Sequence, residues 1–293
     1  MTTVGLAGTG RMGGAMARAL ARAGLPLVLY NRTPGPAAAL AAELGAGVAH
    51  TPAELAARCD VTLTMLADDD AVEHVYRGPA GLLEGVRPGC ILVDLSTIRP
   101  DTIRALGAPA RAAGAGLLDA PVSGSVATAE AGQLSLMVGG EAADLERARP
   151  ALVPLARTIA HLGPLGTGSA MKLAVNTLIF GLNGALAEGL VLAASAAGAP
   201  YLGYKRAAFV DPTGTPVAFP LDLAEKDLRL ITELAGALGV PVPQATANLA
   251  LVRAASSGGR GGRDFSTVAE QLRETAAHPS AGTGSAGEEG APP

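Results

Sequence analysis

Up to about residue 162 the chain alternates short, continuously apolar runs with longer stretches in which apolar positions recur every three or four residues. The first kind reads as strands covered on both faces, the second as amphipathic helices. The expected strands are Thr3 to Ala7, Leu27 to Tyr30, Val61 to Leu66, Ile91 to Leu95, Leu117 to Ala120, Leu134 to Val138 and Thr158 to His161. Between the second and third of these, Thr51-Pro52-Ala53-Glu54 combines a capping hydroxyl, a first-turn proline and a capping-box acid, which predicts a helix start. This alternation predicts an α/β domain built on a doubly wound parallel sheet. After Gly163-Pro164 no further run reads as a strand, and helices are expected from Ser169 to the middle 190s, over Leu221 to Leu238, Pro243 to Ser256 and Ser266 to Glu274. The predicted organisation is a sheet domain over 1–162, an all-helical domain over 163–275 and a tail over 276–293 whose Gly, Ser and Pro content predicts disorder.

The most specific pattern sits in the first strand-to-helix connection. Val4 to Ala7 runs into Gly8-Thr9-Gly10-Arg11-Met12-Gly13, and a helical period over Met12, Ala15, Met16, Ala19, Leu20 and Ala23 follows, stopping at Gly24. In this spacing Gly8 permits a tight turn, Gly10 lets the backbone approach a pyrophosphate, and Gly13 lets the helix lie close on the sheet, with the diphosphate at the helix N-terminus. The second strand ends at Tyr30-Asn31-Arg32-Thr33, where an NAD site carries Asp or Glu for the ribose hydroxyls. Arg32 offers a planar set of donors to a 2′-phosphate, Asn31 and Thr33 can add hydrogen bonds, and no carboxylate stands at this strand end to repel the extra charge. The reading is a Rossmann domain that binds NADP(H). Taken alone, Arg32 also fits a solvated turn residue before Pro34.

Bulk properties narrow the classes further. A chain of 293 residues, 49% of them hydrophobic, can bury the cores of two domains, and with aromatics at 3% and no Trp those cores must be Leu, Val, Ile and Ala. A net charge of −4 with dispersed basic residues leaves no footprint for nucleic acid. Cys59 and Cys90 adjoin expected strands and read as small buried thiols, while His50, His74, His161 and His278 lack ligand spacing, so no metal site is predicted. The most continuous apolar stretch, Leu178 to Ala197, is interrupted by Asn183 and Glu188 and reads as buried helix instead of a membrane span. No basic segment followed by an apolar core opens the chain, so no secretory signal is read and the expected location is cytoplasmic.

Several short constellations can carry chemistry. Lys172 and Asn176, four apart, share one face of the helix that follows the expected domain boundary. A lone ammonium in an apolar stretch needs a partner, an exit to water or a function, so Lys172 fits either a snorkelling surface lysine or a reactive group. Asp119-Ala120-Pro121-Val122-Ser123-Gly124-Ser125 follows a strand and offers a hydroxyl and backbone N–H groups suited to a carboxylate, or a simple turn. In Asp94-Leu95-Ser96-Thr97-Ile98-Arg99-Pro100, Ser96 or Thr97 is a candidate cap for the next helix. Asp68-Asp69-Asp70 reads as a solvated helix start, and Lys226-Asp227 as a surface pair.

Together these motifs resemble the β-hydroxyacid dehydrogenase family, over nearly the whole chain to about residue 274. The resemblance implies a Rossmann domain followed by an all-helical domain, with the active site between them and assembly into a homodimer or homotetramer. It implies Lys172 as the catalytic lysine and Asn176 as the group that orients substrate beside the reacting oxygen. It further implies Ser123 and Gly124 as the grip on a small carboxylate-bearing substrate. Thr97 and Lys226 match cofactor-contacting positions, and with Gly8, Gly10, Arg11, Met12, Gly13, Leu66 and the NADP-type Asn31-Arg32-Thr33 they form the expected cofactor set. The implied reaction is reversible hydride transfer between NADP(H) and a small β-hydroxy acid or semialdehyde, with Lys172 as general acid and base. Imine reductases are similar in fold but commonly carry Asp or Tyr at the lysine position. One departure stands out: between Ala193 and Pro200 the chain is shorter than the family pattern by roughly fifteen to twenty residues. That shortening keeps a non-catalytic NADP-binding scaffold as the alternative from another class.

Overall fold

The computed structural model describes residues 2–195 and 217–277. In order, the first half comprises β1 (Val4–Ala7), α1 (Arg11–Arg22), β2 (Leu27–Tyr30), α2 (Pro34–Leu44), β3 (Gly47–Val48), α3 (Pro52–Arg58), β4 (Val61–Thr64), α4 (Asp69–Arg77), α5 (Leu82–Gly85) and β5 (Ile91–Asp94). Then come α6 (Pro100–Ala112), β6 (Gly116–Asp119), β7 (Val122–Ser123), α7 (Val126–Glu130), β8 (Leu134–Gly139), α8 (Ala142–Leu152) and β9 (Ala156–Gly163). The helices α9 (Thr167–Ser195), α10 (Leu221–Ala237), α11 (Pro243–Ala255) and α12 (Val268–Ala277) complete the described chain.

The sheet runs β3-β2-β1-β4-β5-β6-β8-β7, with β9 paired to β8. From β3 to β6 every pairing is parallel. The expectation of a parallel sheet fails at the far edge, where β8 runs antiparallel to both β6 and β7. The cause is local: only residues 124–133 join β7 to β8, fewer than the crossover that a parallel neighbour requires. The two-residue strands β3 and β7 carry no apolar run long enough to predict.

Alternation along each parallel strand divides its side chains between two cores. Leu6, Leu29, Leu63, Val93 and Leu118 belong to a core shared with Met16 and Leu20 of α1, Leu40 of α2 and Leu145 and Leu152 of α8. Ala7, Val28, Leu92 and Leu117 belong to a second core with Leu55 of α3, Tyr76 of α4 and Ile103 and Leu106 of α6. Period-two burial on both faces is the physical content of a doubly wound sheet. Cys59 and Cys90 are buried free thiols, and burial pushes the Cys59 thiol up to about 12.

Two local readings hold in detail and two change. Thr51 caps α3 by accepting the Glu54 N–H at 3.0 Å, while Glu54 accepts from the His50 N–H at 2.8 Å. The Asp68–Asp70 run is not simply solvated. Asp68 caps α4 through the Ala71 N–H at 2.8 Å, whereas Asp69 is buried and accepts from the Arg99 N–H at 3.0 Å and the Thr102 hydroxyl at 2.6 Å. Ser96 and Thr97 do not cap α6, which begins at Pro100 with Arg99 as its cap residue.

The chain divides into two compact units, residues 1–178 with 229–241, and residues 179–228 with 242–293. In the second unit Phe180 stacks on Phe219 with ring centroids 5.8 Å apart and meets Phe265 edge-on at 5.5 Å. Arg260 is buried there against Glu270 and Glu274. α12 extends to Ala277, two residues into the segment expected as tail. The shortened stretch after Ala193 passes beyond the described residues at 196, and the rest of the tail, from 278, also lies outside them.

Candidate functional site

The order β2-β1-β4 places crossovers on opposite sides of β1, and this reversal opens a crevice at the strands' carboxyl ends. A cavity of about 620 Å³ lies there. Its walls are Gly8 and Gly10 from the β1–α1 turn, Tyr30 to Thr33 at the end of β2, Met65 to Ala67 beyond β4, and Asp68, Asp70, Ala71, His74 and Val75 at α4. Six expected cofactor residues therefore meet in one place: Gly8, Gly10, Asn31, Arg32, Thr33 and Leu66.

The glycines differ in what surrounds them. Gly8 adopts φ +98°, and a Cβ built there would overlap the Met65 carbonyl oxygen. One on Gly13 would overlap the Gly8 carbonyl oxygen, so the first turn of α1 rests directly on the turn that precedes it. A Cβ on Gly10 would meet nothing within 4 Å. Its lack of a side chain serves no internal packing and leaves the N-terminus of α1 open to a phosphate-bearing ligand. Arg11 is exposed and Met12 half-buried in this turn, and Arg11 faces a neighbouring groove of about 380 Å³ with Thr9 and Gly10.

Asn31 ties the turns of the site together. Its carboxamide oxygen accepts the Thr9 N–H at 3.1 Å and its nitrogen donates to the Thr33 carbonyl at 2.9 Å, so the side chain joins the β1–α1 and β2–α2 turns. Arg32 and Thr33 are exposed at the rim. No carboxylate stands at the end of β2 to oppose a 2′-phosphate, but the fold brings Asp68 and Asp70 to the same cavity from α4. These two, with His74, are site residues that sequence reasoning missed; their position just beyond the β4 strand was the available signal.

Beneath the Leu66 wall lies a buried polar chain. The Leu66 N–H donates to the Ser96 hydroxyl at 3.0 Å, and Ser96 bonds Asp94 through its N–H at 3.0 Å and its hydroxyl at 3.3 Å. Thr64 donates to the same carboxylate. Burial pushes the Asp94 carboxyl up to about 6, against the pull of the Thr64 and Ser96 hydrogen bonds, and neighbouring Asp119 adds to the rise.

The remaining expected residues lie elsewhere. Thr97, half-buried after β5, is outside the cavity wall. Ser123 ends β7 half-buried, and Gly124 beside it is exposed at φ +147°. Lys172 is half-buried and Asn176 buried on successive turns of α9, both within the first compact unit. Lys226 belongs to the second unit, its Nζ 2.8 Å from Asp227 Oδ1.

Residues 3–163 match the family model described as the NAD binding domain of 6-phosphogluconate dehydrogenase. Residues 191–272 match the one described as NAD-binding of NADP-dependent 3-hydroxyisobutyrate dehydrogenase. The chloroplastic glyoxylate/succinic semialdehyde reductase 2 of Arabidopsis thaliana is 34% identical over 92% of this chain and 79% of its own. The chain belongs to the β-hydroxyacid dehydrogenase family. Among solved structures of similar proteins, 3-hydroxyisobutyrate dehydrogenase from Salmonella typhimurium superposes with a TM-score of 0.83 at 29% identity, covering 92% of this chain and 100% of that one. Psf3 in complex with NADP+ gives 0.82 at 26% identity, covering 92% and 99%. As a β-hydroxyacid dehydrogenase the chain takes a nicotinamide cofactor, and the open Gly10 and the crevice above it fit that group.

Gly10→Ala should change unfolding free energy by no more than about 1 kcal/mol while weakening cofactor binding. Gly13→Ala should cost roughly 2 kcal/mol or more, because its Cβ meets backbone that cannot yield. Urea unfolding and cofactor titration of both variants check this. For Asp94 the unfolded chain, with a carboxyl near about 3.9, releases its proton before the folded state does as pH rises. The folded protein should therefore lose stability relative to Asp94→Asn between about pH 4 and 6, by an amount on the order of 3 kcal/mol, with no further change above about pH 7. Denaturant midpoints of the two proteins across that range measure it.

Proposed function

We propose that the protein is an NADP(H)-dependent oxidoreductase acting on a small β-hydroxy acid or semialdehyde, with Lys172 as the proton donor and acceptor. The observation that carries the reading is the cavity joining Gly8, Gly10, Asn31, Arg32, Thr33 and Leu66 at the sheet's reversal point. Gly8 to Gly13 would hold the pyrophosphate at the start of α1, and Arg32 with Thr33 the 2′-phosphate. A solved relative that carries NADP+ supports the choice. Thr97 and Lys226 are assigned to the cofactor by family resemblance.

When bound, the nicotinamide supplies a hydride to the substrate's carbonyl carbon or takes one from the corresponding alcohol carbon. In reduction, protonated Lys172 hydrogen-bonds the carbonyl oxygen and gives it a proton, completing the alcohol. In oxidation, neutral Lys172 takes the hydroxyl proton. Asn176, one turn further along α9, orients the same oxygen, and Ser123 with the Gly124 backbone grips the substrate carboxylate. The relatives reduce glyoxylate and succinic semialdehyde or oxidise 3-hydroxyisobutyrate, by their names. We assign this chain the same class: a short carbon chain bearing one carboxylate and one carbonyl or hydroxyl. Exposed Leu178 and Leu182, four apart on α9, suit burial against a second copy in a homodimer or homotetramer.

The test is NADPH oxidation across glyoxylate, succinic semialdehyde, tartronate semialdehyde, methylmalonate semialdehyde and a cyclic imine panel. Turnover on at least one semialdehyde is expected, and turnover confined to imines would overturn the substrate class. Lys172→Ala should lose on the order of a hundredfold in kcat with NADPH binding intact, and near-normal turnover would remove Lys172 from the mechanism. Arg32→Ala should raise KM for NADPH by about tenfold or more and leave KM for NADH within about threefold. Equal effects on the two cofactors would reassign Arg32 to the exposed turn.

A further inference from the structure

We infer that Asp119 is the positioning residue for Lys172, holding the start of α9 on the strand edge that leads to Ser123 and Gly124. The inference rests on the reading of Lys172 given above. Asp119 ends β6 and is fully buried. Its Oδ1 accepts the Gly166 N–H at 2.7 Å and its Oδ2 the Ser169 N–H at 2.6 Å. Those two amides belong to the residue before α9 and to its first turn, where a helix offers N–H groups no partner of its own. Negative charge at that end is also favoured by the helix dipole. The helix is thus capped by a carboxylate from a strand about fifty residues earlier in the chain, where most helices are capped locally.

Backbone contacts leave this seat little freedom. A Cβ on Gly168 would overlap the Met137 carbonyl oxygen and lie 2.8 Å from the Asp119 carbonyl oxygen. A Cβ on Gly139 would overlap Asp119 Oδ1 and lie 2.8 Å from the Pro164 carbonyl oxygen. The first turn of α9 therefore sits on the ends of β6 and β8, and at Gly168 no side chain stands between them. Lys172 follows Ser169 by one turn, and Ser123 follows Asp119 by four residues across a short strand. One carboxylate thereby ties the element carrying the proton donor to the element that grips the substrate. Asp94, in register with Asp119 on the adjacent strand, does not share the task, since its partners are Thr64 and Ser96. A displacement of about 1 Å in such an arrangement is enough to cost on the order of a hundredfold in rate.

The test is a double-mutant cycle on the full-length enzyme. Asp119→Asn turns one accepting oxygen into a donor that faces an N–H, and it should lower kcat by roughly tenfold or more. The NADPH dissociation constant, read by fluorescence titration, should stay within about twofold, because Gly8 to Gly13 and Arg32 are untouched. In a Lys172→Ala background, Asp119→Asn should change the residual rate by less than about twofold, since its effect passes through the lysine. Should Asp119→Asn fail to fold by circular dichroism, Asp119→Glu, which keeps the charge but shifts it by a methylene, goes through the same cycle. Equal losses with and without Lys172, or wild-type kcat in the Asp119 variant, would overturn the positioning role. Wild-type turnover of Lys172→Ala alone would overturn both this role and the function it serves, and so separates the two failures.

Discussion

The first turn of α1 rests on the carbonyl of Gly8 with no room for a methyl at Gly13, and this backbone-on-backbone contact sets the geometry on which the crevice depends. A larger residue at Gly8 or Gly13 would lift the helix from the end of β1 and move its N-terminal amides away from the crevice. The turn is then pinned laterally. Asn31 bonds across to Thr9 and down to Thr33, fixing the end of β2 to the same turn. On the other flank, Ser96 holds the Leu66 amide, so the wall formed beyond β4 is braced by the strand behind it. The cavity is thus framed by turns braced from both flanks while the N-terminus of α1 stays open, which is how a site is held ready before a ligand arrives.

The same edge of the sheet is organised by buried carboxylates that satisfy backbone amides. Asp94 serves Ser96, Asp119 serves Gly166 and Ser169, and Asp69 serves Arg99. Parallel strands must end in loops that turn back over the sheet, and any amide buried there needs a partner. A carboxylate at a strand end solves that problem at the cost of its own desolvation. At Asp94 the cost is visible as a carboxyl pushed up to about 6. At Asp119 both oxygens accept backbone N–H groups at the start of α9.

Much of this was legible in the sequence because it rests on short-range rules. The parallel strands announce themselves as apolar runs, Gly8 to Gly13 by spacing, and the α3 start by Thr51 and Glu54. What was not legible depends on contacts between residues far apart in the chain. Asp68 and Asp70 reach the cavity only because β4 lies beside β1, and Asp69 is buried only because α6 presents Arg99 and Thr102 to it. Three consecutive aspartates look alike in one dimension and take three roles in three: a cap, a buried tie and an exposed rim group. The antiparallel edge escaped for a similar reason, since β7 is two residues long and is defined by its pairing with β8 instead of any pattern of its own.

The charges around the cavity bear on the proposed cofactor preference. Arg32 stands at the rim with Asp68 and Asp70 on the same wall system, so a count of formal charges alone would argue against an additional phosphate. Position changes the balance. Asp68 spends one oxygen on the Ala71 amide at the start of α4, and the dipole of that helix offsets part of its field. Asp70 is exposed, and water and salt screen its effect over distances of about 10 Å. Arg32 projects from the end of β2 beside the ribose position expected of the fold, with five donors in a plane and no ion pair among those described. A cation that can bond a phosphate directly acts on it more strongly than carboxylates that reach it only through a screened field, and this supports the proposed preference for the phosphorylated cofactor.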